Sequence, residues 1–149
     1  MGKLAVLKLI KEEWSQLRQT AESIPNYTVD LPSEEGLWST TDALKHVAGW
    51  DEEVIEIVRA YIESGTKREN TGAAQINDKL LKDRKDMDAS NTWIHFQVAH
   101  QSLMSYLKSL PEHVFDPESY TGYWIGCLVP QHYRDHRKDI GIIIAGLSP

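Results

Sequence analysis

The stretch from Ser39 to Gly65 reads STTDALKHVAGWDEEVIEIVRAYIESG and carries the signals of one long amphipathic helix. Ser39, with Asp42 three residues later, resembles an N-terminal capping box. Gly65 is suited to end the helix, because glycine readily adopts the left-handed conformation found at helix C-termini. Between these ends, apolar residues recur every three or four positions and so share one face: Ala43, Val47, Trp50, Val54, Ile57 and Tyr61.

Three further segments repeat this periodicity. One runs from Leu7 to Ile24, one from Trp93 to Leu110 with Ser90 as a candidate cap, and one from Ile125 to Ile143. A weaker apolar pattern around Ile76 suggests a short extra helix. The sequence therefore predicts an all-α protein, an up-down four-helix bundle that forms a single domain over residues 1–149.

Pro130 is the one residue of the last segment that does not suit a helix interior. Pro130 either lies in the first turn of that helix or kinks a longer helix that begins near Tyr123. The preceding stretch GYWIGCLV, from Gly122 to Val129, is one of two candidate strands, and neither has a clear hairpin partner.

Composition narrows the classes of function. The 149 residues are 41% hydrophobic and 26% charged, with a formal net charge of -6, as is typical of a soluble globular protein. The negative charge argues against nucleic acid and anionic membranes as main partners, because both attract basic surfaces. A single cysteine leaves no internal disulfide, and no signal peptide or membrane span is recognisable, which predicts a cytoplasmic protein.

Three of the six histidines fall on inward faces of predicted helices. His132 and His136 are four residues apart and lie one above the other on a face shared with Val129. His46 lies on the inward face of the helix that follows Ser39. Buried imidazoles without partners are costly, so a metal ion or a set of hydrogen bonds must satisfy them. The remaining histidines, including His100, have no such spacing and are interpreted as structural.

A divalent metal is the preferred interpretation of the three histidines. Imidazole nitrogens suit Zn, Ni, Fe or Cu, and three protein ligands leave a coordination position open, as in catalytic sites. Trp50 and Trp124 are candidate walls of a substrate pocket. Asp42, Asp135 and Asp139 lie within a turn of the histidines and could accept their N–H groups, although solvent exposure is favoured for the last two.

Three stretches resemble a known family. LWSTTDALKHVAGWDEEV (Leu37 to Val54) is similar to the second helix of the DinB-like (YfiT-like) bundle proteins, QHYRDHRKDI (Gln131 to Ile140) to their last helix, and INDKLLKDR (Ile76 to Arg84) to the Asn-bearing start of their third helix. In the first stretch the matching residues are Trp38, Ser39, His46 and Trp50.

The resemblance implies a four-helix bundle in which His46, His132 and His136 bind a divalent metal. Family members with known activity include thiol-dependent enzymes, namely mycothiol-dependent maleylpyruvate isomerase and bacillithiol or mycothiol S-transferases. Many members have no assigned activity, and members often form homodimers.

Three functions follow as hypotheses. The preferred one is a metal-dependent enzyme, a thiol-dependent transferase or a hydrolase, in which an activated thiol or water attacks an electrophilic small molecule. The second is a non-catalytic protein that binds or sequesters a small molecule in the same pocket. The third is a homodimeric scaffold without a ligand.

Overall fold

The computed structural model describes residues 1–32, 38–68 and 73–147, and all regular structure within these ranges is helical. The four long helices are α1 (Lys3–Glu22), α2 (Thr40–Ser64), α4 (Ala89–Lys108) and α6 (Val129–Leu147); two shorter ones are α3 (Ala73–Asp83) and α5 (Tyr120–Tyr123). Two short 3-10 helices lie at Asn26–Thr28 and Glu112–Phe115, and a π-helical turn, Trp124–Leu128, joins α5 to α6. The all-α prediction is confirmed, and none of the described helices combines the length and apolarity needed to cross a membrane.

The long helices pack around one apolar core. α1 contacts α4 and α6, α2 contacts the same two helices, and α3 packs on α2 as the predicted extra helix. Burial of one large apolar side chain contributes about 1.5–3 kcal/mol to the stability of the fold. The apolar stripes that the sequence predicts therefore hold α2 against α6. The fully buried apolar residues include Ile10, Leu17, Val47, Phe96, Leu103 and Ile140.

Both ends of α2 form as the sequence predicts. The Ser39 hydroxyl accepts a hydrogen bond from the backbone N–H of Asp42 at 3.1 Å, and the Asp42 carboxylate accepts one from the N–H of Ser39 at 3.3 Å. Gly65 adopts φ 70°, the left-handed conformation, and its N–H donates to the Tyr61 carbonyl at 2.8 Å. The start of α4 differs, because Asp88 rather than Ser90 caps it by accepting from the N–H of Asn91.

The helix that precedes His132 contains a widened turn. The candidate strand from Gly122 to Val129 is helical, and the Val129 N–H donates to the Trp124 carbonyl five residues back. In a regular α-helix, the Pro130 ring would press on the carbonyl four residues before it. The π turn widens the helix immediately before Pro130, so this residue lies in the first turn of α6 while the helical path continues from Tyr120.

Two glycines in this region make a matched test of packing. A Cβ at Gly122 would lie 1.8 Å from the Asp116 carbonyl oxygen, whereas a Cβ at Gly141 meets nothing within 4 Å. We expect Gly122→Ala to lower the free energy of unfolding by about 1–3 kcal/mol or more through this clash. Gly141→Ala should raise it by about 0.5–1 kcal/mol, because alanine favours the helix. Urea unfolding measures both, and equal effects of the two substitutions would contradict the prediction.

Candidate metal centre

Three imidazoles from two helices converge at one point. His46 is in the second turn of α2, and His132 and His136 are one turn apart in α6. The Nε2 atom of His132 lies 2.8 Å from Nε2 of His46 and 3.1 Å from Nε2 of His136. His46 and His136 are buried, and His132 is half-buried. The structure thus brings together the three histidines that the sequence singles out.

Hydrogen bonding alone cannot satisfy this cluster. A neutral imidazole nitrogen carries either one proton or one lone pair, so Nε2 of His132 can serve only one of its two close neighbours. Nδ1 of His46 is also buried without a hydrogen-bond partner among the described residues. A cation among the three Nε2 atoms would accept a lone pair from each of them. The donor set therefore fits a divalent metal.

The electrostatic environment keeps these rings neutral. Burial, and secondarily the proximity of His136, lowers the pKa of His46 from 6.5 to about 4. Burial also holds the pKa of His132 well below its usual value, and the neighbouring His136 and His46 reinforce this effect. The pKa of His136 is likewise lowered by burial, although Asp139 and Asp135 oppose the shift. Neutral imidazoles have the free lone pair that metal binding requires.

Two residues border the histidines on the outside. Oδ2 of Asp139 lies 3.2 Å from Nδ1 of His136, within ion-pair distance, although the two groups are not aligned for a hydrogen bond. Asp139 is exposed, as the sequence predicts, and in addition contacts His136. The Trp38 ring lies 4.7 Å from His46 and 6.1 Å from His136, centroid to centroid. Trp38 covers this side while remaining 37% exposed.

A cavity of about 300 Å³ opens beside the triad. Both tryptophans predicted as pocket walls line it, together with His46 and His132, and their rings are nearly parallel with centroids 6.3 Å apart. The Trp50 indole N–H donates to Oδ1 of Asn77 at 2.6 Å, so α3 holds this wall in place. The volume is at the lower end of the range for small-molecule sites.

Sequence analysis missed one polar residue of this cavity. Asp51 lines the cavity, is only 2% exposed and was not singled out, because its neighbours Glu52 and Glu53 make the segment look like a charged surface. Asp42 belongs to the cap of α2. Asp135 is exposed as expected, but it also borders the cavity.

Solved structures of similar fold include the following two proteins. The colibactin self-resistance protein ClbS, crystallised in complex with a dsDNA, matches 99% of this chain and 98% of its own with a TM-score of 0.84 and 16% identity. An uncharacterised protein from Escherichia coli UTI89 matches 97% of this chain and 91% of its own, with a TM-score of 0.74 and 12% identity. No family model matches the sequence, and no curated protein is significantly similar to it. The likeness shows a shared all-helical fold.

The ClbS complex corrects one expectation. We excluded nucleic acid as a partner because of the net charge of -6, and this exclusion was wrong, since a protein of the same fold is seen bound to dsDNA. Net charge sums over the whole surface and does not describe local patches. In this chain, Lys11, Arg18 and Lys108 line one surface cavity despite the acidic total.

The lowered pKa of His46 predicts how metal-free protein responds to acid. Between about pH 4 and 6.5 the unfolded chain protonates His46 and the folded chain does not, so stability falls as the pH falls through this window. With a chelator present, the free energy of unfolding of the parent should fall between pH 7 and pH 4. We expect the fall to be smaller by up to ~3 kcal/mol in His46→Gln, which lacks this titrating group. Asp51, whose raised pKa acts in the opposite direction, is common to both proteins. Urea unfolding at each pH measures this. An equal fall of stability with pH in the two proteins would contradict the lowered pKa of His46.

Proposed function

We propose that this chain is a DinB-like four-helix bundle protein that binds a divalent metal, Zn, Ni or Fe, through His46, His132 and His136. On this proposal it is a metal-dependent enzyme that transfers a thiol to, or hydrolyses, an electrophilic small molecule held in the adjacent cavity. The observation that carries the proposal is the convergence of three Nε2 atoms that cannot all be satisfied by one another.

The surroundings of the triad support a catalytic rather than a purely structural metal. Three protein ligands leave a position for a water or a thiol, and the cavity reaches two of the three histidines. A divalent cation bound there would lower the pKa of a water or thiol toward neutrality. Trp50 and Trp124 supply apolar walls for the substrate, and Trp38 limits the access of water from the other side of His46.

Elemental analysis of the purified, untagged protein tests the metal site. We expect about one metal ion per chain in the parent, and less than a tenth of that in His136→Ala, because two imidazoles hold a metal far less tightly than three. His113→Ala is the matched control, since His113 is exposed and lies in the 3-10 helix Glu112–Phe115, away from the triad. Equal metal content in parent and His136→Ala would refute the ligand set.

The open coordination position is tested in the cobalt-substituted protein. We expect azide or a small thiol to change the visible absorption of the parent, because an exchangeable position accepts an added ligand. An unresponsive spectrum would indicate a closed fourth ligand and would favour the non-catalytic protein that binds or sequesters a small molecule.

The likeness to ClbS favours a second candidate function. ClbS is described as a self-resistance protein and was crystallised with a dsDNA. On this candidate, the chain sequesters or neutralises a reactive small molecule and contacts duplex DNA. The cavity beside α1 is lined by three basic residues that are suited to phosphates, Lys11, Arg18 and Lys108.

Fluorescence anisotropy with a labelled DNA duplex tests this candidate. We expect binding at low salt that weakens steeply as salt rises, and a several-fold loss of affinity in the double variant Lys11→Glu, Lys108→Glu. The control is Lys79→Glu in α3, which changes the net charge by half as much at an exposed site outside this cavity. Absence of binding at low salt would remove duplex DNA as a partner.

A further inference from the structure

A chain of three buried polar side chains crosses the core beside the histidine triad. The Tyr133 hydroxyl donates to Oδ1 of Asp51 at 2.9 Å, and the same hydroxyl oxygen lies 3.1 Å from Nδ1 of His100. The exposed fractions are 0% for Tyr133, 2% for Asp51 and 6% for His100. Trp14 stacks on His100 with ring centroids 4.1 Å apart, which fixes the plane of the imidazole.

The two ends of this chain face different cavities. Asp51 lines the cavity beside the triad, and its second oxygen, Oδ2, has no hydrogen-bond partner among the described residues. His100 lines a separate surface cavity of about 410 Å³ between α1 and α4. Apolar side chains would fill these core positions without a desolvation cost. A buried polar chain carries that cost at each of its three groups. Because the chain connects two cavities, it is suited to carry protons between them.

We propose that Asp51, Tyr133 and His100 form a proton relay between the cavity at the histidine triad and the surface cavity beside α1. The relay deepens the proposed function and rests on it for its purpose, because a thiol or water that becomes a nucleophile at the triad must give up a proton. Asp51 exchanges protons with the triad cavity, and His100 exchanges them with solvent.

The relay conserves protons and charge at every step. In one arrangement, Asp51 carries a proton on Oδ2, Tyr133 donates to Oδ1, and His100 carries its proton on Nδ1. When Nε2 of His100 takes a proton from solvent, the Nδ1 proton passes to the Tyr133 oxygen. The Tyr133 proton then passes to Oδ1 of Asp51, and the Oδ2 proton leaves to the triad cavity.

The reverse sequence exports a proton from the triad cavity to solvent. Tyr133 exchanges one proton for another and remains neutral throughout, so the relay does not require its ionisation. The two transfers between side chains lie across distances of 3.1 Å and 2.9 Å, which are within hydrogen-bond range.

The surroundings of Asp51 and of His100 suit the role of each residue in the relay. Burial raises the pKa of Asp51 well above its usual value, and the adjacent Glu52 adds to the shift while the Tyr133 hydroxyl opposes it. His46, His132 and Asp135 are the other titratable groups of that cavity. Burial lowers the pKa of His100 to about 4, so its ring is neutral and can both accept and donate. Lys11, Arg18 and Lys108 are the charged groups that line its cavity.

Nuclear magnetic resonance of the full-length protein tests the relay through the tautomer of His100. With 15N-labelled histidine and 13C-labelled aspartate carboxyls, the Asp51 signal reports its ionisation and the His100 signals report which ring nitrogen holds the proton. Neutral Asp51 permits both tautomers of His100, Nδ1–H when its proton is on Oδ2 and Nε2–H when its proton is on Oδ1. We expect a switch to the Nδ1–H tautomer alone as Asp51 ionises, because ionised Asp51 can only accept from Tyr133. Tyr133→Phe and Asp51→Asn should each abolish this switch, while Tyr123→Phe, at an exposed position, should retain it.

The outcomes separate the relay from the metal proposal. A parent His100 with no Nε2–H population at any pH would show a fixed structural hydrogen-bond chain and overturn the relay. A switch that survives in both Tyr133→Phe and Asp51→Asn would overturn it as well. The experiment is run on zinc-loaded protein, or on metal-free protein if none is taken up. Failure to bind zinc counts against the proposed function alone, and the tautomer of His100 still decides the relay.

Discussion

The packing of α2 against α6 is the constraint on which the proposed site depends, because it presses three imidazoles together away from bulk water. Nε2 of His132 lies within 3.1 Å of two other ring nitrogens and has one proton or one lone pair for both. Burial also keeps the three rings neutral near pH 7. The core on either side supplies the apolar contacts that maintain this crowding, and the proposed cation would relieve it.

Local sequence signals predicted the elements of this fold well. The capping box and Gly65 fixed the ends of α2, and the stripes of α1, α2 and α6 indicated which faces are buried, including those of His46, His132 and His136. These features depend on residues close together in the chain. The same periodicity could not predict whether His46 lies at the same height in the bundle as His132 and His136. That height depends on how two helices distant in sequence pack together.

The features that the sequence did not reveal depend on contacts between distant segments. Asp51 lies beside two acidic neighbours, and only the approach of Tyr133 from α6 shows that its carboxyl is buried. His100 had no spacing partner, because its partner is also on α6. The net charge was a poor guide to binding partners for a related reason. A sum over 149 residues does not show where basic side chains lie close together on the surface.

The π turn before Pro130 also has an evolutionary consequence. A π turn holds one more residue than an α turn, so the segment from Trp124 to Leu128 has the form of a one-residue insertion into a helix. Removal of one residue there would restore an α turn and leave the helical segments on either side in nearly the same register. The side chains within the turn, those of Trp124 and Leu128 among them, would change position at the cavity while the histidines stayed in place. Relatives that differ by this single insertion would therefore share the triad and differ in the ligand that they accept.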